Sequence, residues 1–389
     1  MRTIKAYPRA NGQIGIRNQI LVLSLVQCSN STAAKIASQC NVPVLTVDTG
    51  CGDFHNEEDR INMGLIRAGQ HPNVFGVLLV SMGCQWLDPA WIGGEIAKSG
   101  TKVAHLCIQD AGGVAKTVEK GVKIVTEMQE EGSRLVREEF PVSALRLGIY
   151  CGGSDWSSSL AANSVVGECA DLFADQGAAF ASSPIRGMAG NERHFVELAA
   201  TPEIGEQVLQ ISDEYRSEIL ARTGQSISDV NPTPGNKAHG ITTLCEKAIS
   251  NLKLYGNRTP LNGILQTGEY IPGPGQWIID NRKGGNDAYA CTALAMAGAH
   301  ICIFTTGLGT PHGNAAAVTI KVTANPITNQ SLGAEMIDFD ASSVITQNLE
   351  IEAVAKDLFE KVIDIVNGSS SKAEIIGDYS WVTPPYGTI

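Results

Sequence analysis

The run Leu145-Arg-Leu-Gly-Ile-Tyr-Cys-Gly-Gly-Ser-Asp155 constrains this chain more than any other. An apolar, strand-like stretch ends in a cysteine, two glycines and a serine, then passes straight into a small-residue segment, Ser157 to Asn163, that reads as a helix start. A thiol and a nest of backbone N–H groups are thereby held at the carboxyl end of a buried strand, which is where open α/β sheets bind ligands. The same device recurs at Val26-Gln-Cys-Ser-Asn30, Thr49-Gly-Cys-Gly-Asp53, Ser81-Met-Gly-Cys84 and Thr305-Thr-Gly-Leu-Gly309. Such strand ends predict an enzyme site for a small anion, assembled from several turns at once.

The surrounding pattern predicts how those ends are supported. Apolar, β-branched runs at Ile20–Leu25, Val44–Val47, Gly76–Val80 and Val103–Leu106 alternate with helix-like stretches at Ser31–Gln39, Asp59–Gly69, Gly94–Ser99 and Lys116–Phe140. This is βαβ alternation, which implies a parallel sheet with helices on both faces. Pro141 breaks the pattern. A second alternation starts at Leu145, with strands at Leu145–Tyr150, Ala178–Ala181, Gly263–Gln266, His300–Phe304 and Thr319–Val322, and helices near Glu203–Arg222 and Thr242–Leu254. One more helix, Glu350–Asn367, precedes a Gly/Ser stretch and an aromatic, Pro-containing tail. The expectation is an α/β fold of two lobes, each a mainly parallel sheet flanked by helices, Rossmann-like or flavodoxin-like. The first lobe is expected to span 1–143, and the second 144–389 with the C-terminal helix and tail. Leu21–Ile36 and Leu147–Asn163 are alike enough to suggest an internal duplication, although strand–turn–helix units resemble one another by physics alone.

Composition excludes several partners. The 389 residues carry a net charge of −11, with no basic cluster or stripe, so nucleic acid and anionic membrane surfaces are poor matches. A substrate anion must be held by a few local cations or backbone N–H groups. No apolar run reaches the roughly 18 residues of a membrane span. The amino end lacks the apolar stretch of a signal peptide. Ten cysteines without a Cys-x-x-Cys pair read as reduced thiols, most of them core-filling, so the cytoplasm is the expected location.

Taken together, Tyr7-Pro-Arg-Ala-Asn-Gly-Gln-Ile-Gly-Ile-Arg-Asn18, Cys28-Ser29, Cys151-Gly-Gly-Ser-Asp155 with Asn163, Asn231-Pro-Thr-Pro-Gly-Asn-Lys237, Gly240-Ile-Thr-Thr-Leu-Cys-Glu-Lys247, Phe304-Thr-Thr-Gly307 and Ile320-Lys-Val-Thr-Ala-Asn325 occur in an order that closely resembles the altronate/galactarate dehydratase family. That family includes the large subunit of sulfolactate sulfo-lyase. The resemblance runs from about Tyr7 to about Ile345. It implies a lyase that removes water, or sulfite, beside a carboxylate to give a 2-keto acid through an enol, usually with a divalent metal, Fe2+ or Mn2+. It also implies a separate small subunit of about a hundred residues, standing for a domain fused in the dehydratases, and a homo-oligomer of the large chain. Altronate or galactarate is the lead substrate and sulfolactate the alternative. A non-catalytic binding or scaffolding subunit is the rival of another class. Two departures bear on the substrate. Ser182-Ser-Pro-Ile-Arg-Gly-Met188 stands where the dehydratases carry a glutamate-bearing segment, and Gly307-Leu-Gly309 replaces their Gly-Arg-Gly turn.

Dehydration of a hydroxy acid needs a base for a weakly acidic proton, an acid for the leaving hydroxyl and preorganised donors for the enediolate. The candidates for acid–base work are Asp155, Lys237, Lys321 and His312. Asp155 has a helix cap as its structural alternative, and Lys321, inside the apolar Val318-Thr-Ile-Lys-Val322, reads equally as an outward residue of an edge strand. The substrate-binding candidates are Cys28, Ser29, Gly152, Gly153, Ser154, Asn163, Arg186, Asn236, Thr306, Gly307 and Asn325. For a metal, Cys51, His55 and Cys151 are the candidates, with Cys28 and Cys84 as further thiolates. Lys247, next to Glu246, reads as structural. Gly307-Leu-Gly-Thr-Pro-His-Gly313 has the wrong glycine spacing for a dinucleotide fingerprint, and no acidic residue closes a following strand, so a nicotinamide dehydrogenase is rejected.

Overall fold

The computed structural model describes residues 2–51, 55–183, 188–282 and 286–382, with 55–58 described by backbone alone. The chain opens with β1 (Thr3–Pro8), which turns back into β2 (Ile14–Gly15). Then β3 (Gln19–Ser24), β4 (Val44–Leu45), β5 (Val74–Ser81) and β6 (Lys102–Cys107) form an all-parallel sheet in the order β4-β3-β5-β6. Helices Asn30–Cys40, His55–Gly69 and Pro89–Ala97 make its crossovers, and helix Val114–Ser133 follows β6. After β7 (Glu138–Pro141) comes the second lobe. It holds β8 (Arg146–Cys151), β9 (Ala179–Ser182), β10 (Leu261–Gln266), β11 (Gly275–Asp280), β12 (Ile301–Thr305), β13 (Val318–Thr323) and β14 (Phe339–Asp340). They form a parallel sheet in the order β10-β11-β9-β8-β12-β13-β14. The two-lobe α/β expectation is therefore met.

Several local expectations differ from the structure. The predicted helix Lys116–Phe140 stops at Ser133, and Glu138–Pro141 instead pairs antiparallel with β1, with Lys5 opposite Glu139. Good helix formers there lose to a cross-strand partner far away in sequence. The helix expected at Gly94–Ser99 starts earlier, at Pro89, because the Asp88 carboxylate accepts from Ala90 N and Trp91 N, and proline suits a first turn. The strand β11 and the helices Asp287–Met296 and Pro326–Met336 carry no periodic signal strong enough to have been assigned. Lys321 is on no edge: β13 lies between β12 and β14, and all of its residues are buried.

The two lobes trade their ends. Ile4, Ala6, Ile14 and Ile16 belong to the main apolar core of the second lobe, whereas Tyr379 and Trp381 pack against the core of the first. Arg17 ties the amino-terminal turn to the far end of the chain, donating to Glu374 Oε1 (2.7 Å), Ile365 O (3.1 Å) and Ser369 O (2.7 Å). Where β5 and β12 begin, Asn73 Nδ2 donates to His300 O (2.8 Å) and Ala316 O (3.0 Å), and His71 Nε2 meets Ala299 O at 3.0 Å. Further along, Arg67 stacks over the Tyr270 ring at 4.4 Å, and Arg60 lies within electrostatic reach of Tyr289. Helices His55–Gly69 and Asp287–Met296 thus run side by side in one sense, and the carboxyl ends of both sheets open to the same side.

Candidate active site

The central strand of the larger sheet, β8, ends in the turn Gly152-Gly-Ser154. Its first crossover, helix Asn163–Asp175, packs in the main core with Leu147 and Ile149, while helix Asp287–Met296 packs on the opposite face, against Gly148. From β8 the chain moves on to β9, on one side, whereas from its other neighbour β12 it moves away to β13, which makes the gap between these strand ends a topological switch point. A cavity of about 450 Å3 sits on it.

Two walls rise from the strand end. Side chains alternate along a strand, so Cys151 faces one side and Tyr150 and Gly152 the other. On the first side, Cys151 Sγ lies 2.9 Å from Ser154 Oγ, and burial pushes the thiol up. Lys247 Nζ donates to Asn231 Oδ1 (3.2 Å) and Asn236 Oδ1 (3.1 Å), and Asn236 Nδ2 donates to Ser154 O (2.9 Å). Tyr255 closes this wall, its phenol pushed up by burial. On the second side stand Tyr150, Asn286 and Asp287. The Asn286 side chain caps the helix by accepting from Tyr289 N at 2.8 Å, and Asp287 is the first helical residue.

The turn itself is suited to an anion. Gly153 has φ +58°, and its carbonyl accepts from Gly307 N (3.1 Å) and Leu308 N (3.0 Å). Among the described residues the N–H groups of Gly153 and Ser154 have no acceptor. Consecutive N–H groups in such a conformation form a concave anion seat.

The predicted site residues separate into groups. Gly152, Gly153, Ser154, Cys151 and Asn236 line the cavity. Asp155 does not: its Oδ1 accepts from the N–H and hydroxyl groups of Ser157 and Ser158, and its Oδ2 accepts from Asn325 Nδ2 at 2.7 Å. Gly307 packs flush against that carboxylate. Thr306 Oγ1 accepts from Gly309 N and Thr310 N. Asn163 bridges Ser250 and Thr305. These residues build the turn from behind. Lys237 is exposed on the short helix Pro234–Ala238. Arg186 and the His55 side chain lie outside the described residues. In the first lobe Cys28, Cys51 and Cys84 are exposed at their strand ends, and Ser29 Oγ is spent on Ser24 Oγ and the carbonyls of Val26 and Val80.

Lys321 and His312 form a separate buried pair. Burial pulls the Lys321 amine below its usual range, with Asp378, Asp338 and Glu335 pulling the other way, and Nζ has no hydrogen-bond partner among the described residues. Burial, helped by Lys321, lowers His312 to about 4. The His312 ring lies 5.5 Å from that of Phe304, whose edge packs on Gly152. The pair is thus one aromatic ring removed from the cavity.

A divalent metal is implied by the resemblance, so its fit matters. Among the described residues no three His, Cys, Asp or Glu side chains come together closely enough to hold one. Cys51 is exposed in the first lobe, and Cys151 is engaged with Ser154 in the second.

Sequence reasoning missed Lys247, Asp287, Tyr150, Tyr215 and Tyr255, all of which line the cavity. Lys247 sits on a capped amphipathic helix, Leu244–Leu252, and Asp287 occupies a first helical turn, where acidic residues are common for reasons of the helix dipole.

A two-lobed α/β protein with a polar small-molecule cavity at the switch point of its larger sheet is the class that fold and site define. Residues 6–133 match the second domain of D-galactarate dehydratase/altronate hydrolase, and residues 142–385 match the C-terminal domain of D-galactarate/altronate dehydratase. The chain belongs to this dehydratase family. It is 30% identical over 378 residues to the altronate dehydratase of Bacillus subtilis (strain 168), an alignment covering 94% of this chain and 74% of the relative. It is also 30% identical over 385 residues to (2R)-sulfolactate sulfo-lyase subunit beta of Chromohalobacter salexigens, covering 98% and 97%. The altronate dehydratase of Escherichia coli (strain K12) is 28% identical over 387 residues, covering 95% and 75%. These relatives are lyases by name.

Proposed function

We propose that this chain is a lyase that eliminates water from a small polyhydroxy acid, with altronate or galactarate as lead substrates, giving a 2-keto-3-deoxy acid. The observation that carries this reading is the cavity lining. Its side chains include four amides, Asn231, Asn236, Asn251 and Asn286, with the hydroxyls of Ser154, Ser183 and Thr233. Ser183 Oγ is buried and has no partner among the described residues. Such a wall suits a ligand carrying several hydroxyl groups, whose polar atoms would otherwise be buried unpaired. The substrate carboxylate belongs on the N–H groups of Gly153 and Ser154, near Lys247.

Elimination of sulfite from sulfolactate is the second reading. In its favour, the chain is as similar to the sulfo-lyase subunit as to the Bacillus subtilis altronate dehydratase, 30% identical to each. The word subunit in the sulfo-lyase relative's name supports a separate small polypeptide here, of about a hundred residues; a homo-oligomer of the large chain and a cytoplasmic location are further parts of the proposal. A divalent metal, Fe2+ or Mn2+, stays in the proposal through the resemblance alone, and no step of the chemistry is assigned to it.

The test is a panel of aldonates, aldarates and sulfolactate, assayed for 2-keto acid and for sulfite, with and without added metal and the small polypeptide. Keto acid from a sugar acid is expected. Sulfite release selects the second reading, and no turnover of any member under all conditions defeats both.

A further inference from the structure

Two ionisable side chains, Asp287 and Lys247, line the cavity from the two sides of the end of β8. On the Gly152 side, a Cβ added to that glycine would lie 2.2 Å from Asp287 Oδ2. The carboxylate and the edge of the Phe304 ring, 2.5 Å from the same point, occupy the space a side chain there would need. On the Cys151 side, Lys247 is held by two side-chain carbonyl oxygens, those of Asn231 and Asn236, which accept but cannot donate. Both contacts hold Lys247 Nζ as a hydrogen-bond donor beside the strand end. Both residues line the same cavity, and they come from helices on opposite faces of the sheet. A substrate whose carboxylate sits on the Gly153–Ser154 N–H groups therefore has an acceptor-only carboxylate on one flank and an ammonium on the other.

We infer that Asp287 is the general base and Lys247 the general acid of an elimination across opposite faces of the substrate, an inference that rests on the polyhydroxy-acid reading. The Asp287 carboxylate takes the C2 proton, and the electron pair moves into the carboxylate as an enediolate, which the Gly153 and Ser154 N–H groups stabilise. That pair then forms the C2–C3 double bond as the C3–O bond breaks. The departing hydroxyl receives a proton from Lys247 and leaves as water. The resulting enol ketonises, its hydroxyl proton going to solvent and C3 gaining one. Asp287 returns its proton and Lys247 regains one through solvent, so no oxidant or reductant is needed. Groups on opposite flanks favour substrates whose C2 hydrogen and C3 hydroxyl are anti.

The bland alternative makes Asp287 a helix-dipole residue and Lys247 a tether for two asparagines. Hydrogen exchange at C2 separates the two views, because a purely structural residue does not govern it selectively. The full-length protein, in the condition where the wild type turns over a panel acid, is moved to D2O and followed by NMR, with binding measured by calorimetry. Asp287→Asn is expected to bind within about threefold of wild type, to lose about a hundredfold or more in turnover and to lose C2 exchange. Lys247→Gln is expected to lose turnover on a similar scale while still exchanging deuterium into C2 of unreacted substrate. Asp287→Ser, which keeps a helix-compatible polar residue, stands in if Asp287→Asn does not fold. Continued C2 exchange in both Asp287 variants overturns the assignment, as does its loss in Lys247→Gln alone. A wild type inactive on every panel acid instead defeats the functional reading, and this assignment with it.

Discussion

The two lobes end their strands with the same kind of sequence, yet among the described residues it is the second lobe's edge that encloses the cavity of about 450 Å3. In the first lobe the turns after β3, β4 and β5 leave Cys28, Cys51 and Cys84 exposed, and the nearby Ser29 hydroxyl is consumed by its own turn. In the second, Cys151 is covered, Ser154 is engaged with it, and a loop and helix some 80 to 95 residues downstream deliver Asn236 and Lys247 onto the strand end. A strand–cysteine–glycine turn is therefore a mounting point. It becomes a site only when distant segments wall it in, as the long insertion between β9 and β10 does here.

The largest expected effect tests what joins the lobes, as opposed to what lines their open edges. His71 and His300, at the junction where β5 and β12 begin, are lowered to about 4 and about 3, chiefly by burial, and His312 to about 4. Unfolded, each titrates near 6.5. The unfolded chain thus binds more protons between these values, and stability present above pH 6.5 is lost as pH falls toward 4, on the order of 3 kcal/mol per histidine. Denaturant unfolding from pH 7 to 4.5 should show this decline, and His300→Gln should flatten it. An unchanged slope in that variant would place the acid sensitivity elsewhere.

A second, smaller effect concerns the back of the turn. Asp155→Asn puts an amide where Asn325 Nδ2 now donates, and Asn325 cannot turn round because its Oδ1 caps Ile327 N and Thr328 N. A loss of about 3 kcal/mol is expected, the scale of a broken charged hydrogen bond with a donor left unpaired. Combining it with Asn325→Asp should recover part of that stability. Catalytic loss at unchanged melting temperature would instead make Asp155 a reacting group, as its place in the motif first suggests.

The smallest effect is one of accessibility. A thiol reagent should label Cys28, Cys51, Cys84 and Cys245 quickly in the folded protein and Cys169, Cys291 and Cys302 only on unfolding, with Cys151 slow and protected by substrate. Equal rates at Cys51 and Cys151 would erase the contrast between the edges.

How much of this was legible from the sequence follows the same division. The turn Gly152–Ser154 and the loop residue Asn236 could be read because glycines after a strand and a Pro/Gly loop carry their own backbone logic. Asp155 was legible as a cap for the same local reason. Lys247 and Asp287 were not, because a lysine on an amphipathic helix and an acid in a first helical turn are what any helix shows. Their meaning comes only from the sheet order that sets β8 between β9 and β12. Lys321 shows the limit from the other side: its apolar neighbours reveal burial, but not that Phe304 and His312 stand between it and the cavity.

The traded ends have a consequence for how such a chain can be divided. Ile4 and Ile16 are part of the core of the second lobe, while Tyr379 and Trp381 pack, half-buried, against the core of the first. Cutting near Pro141 would leave each half with an apolar socket that only the other half plugs. The lobes are separate as architecture, yet they cannot be exchanged as modules. A chimera taking one lobe from a relative would inherit a mismatched seam at both termini, so substitutions at the two ends of the chain are expected to drift together.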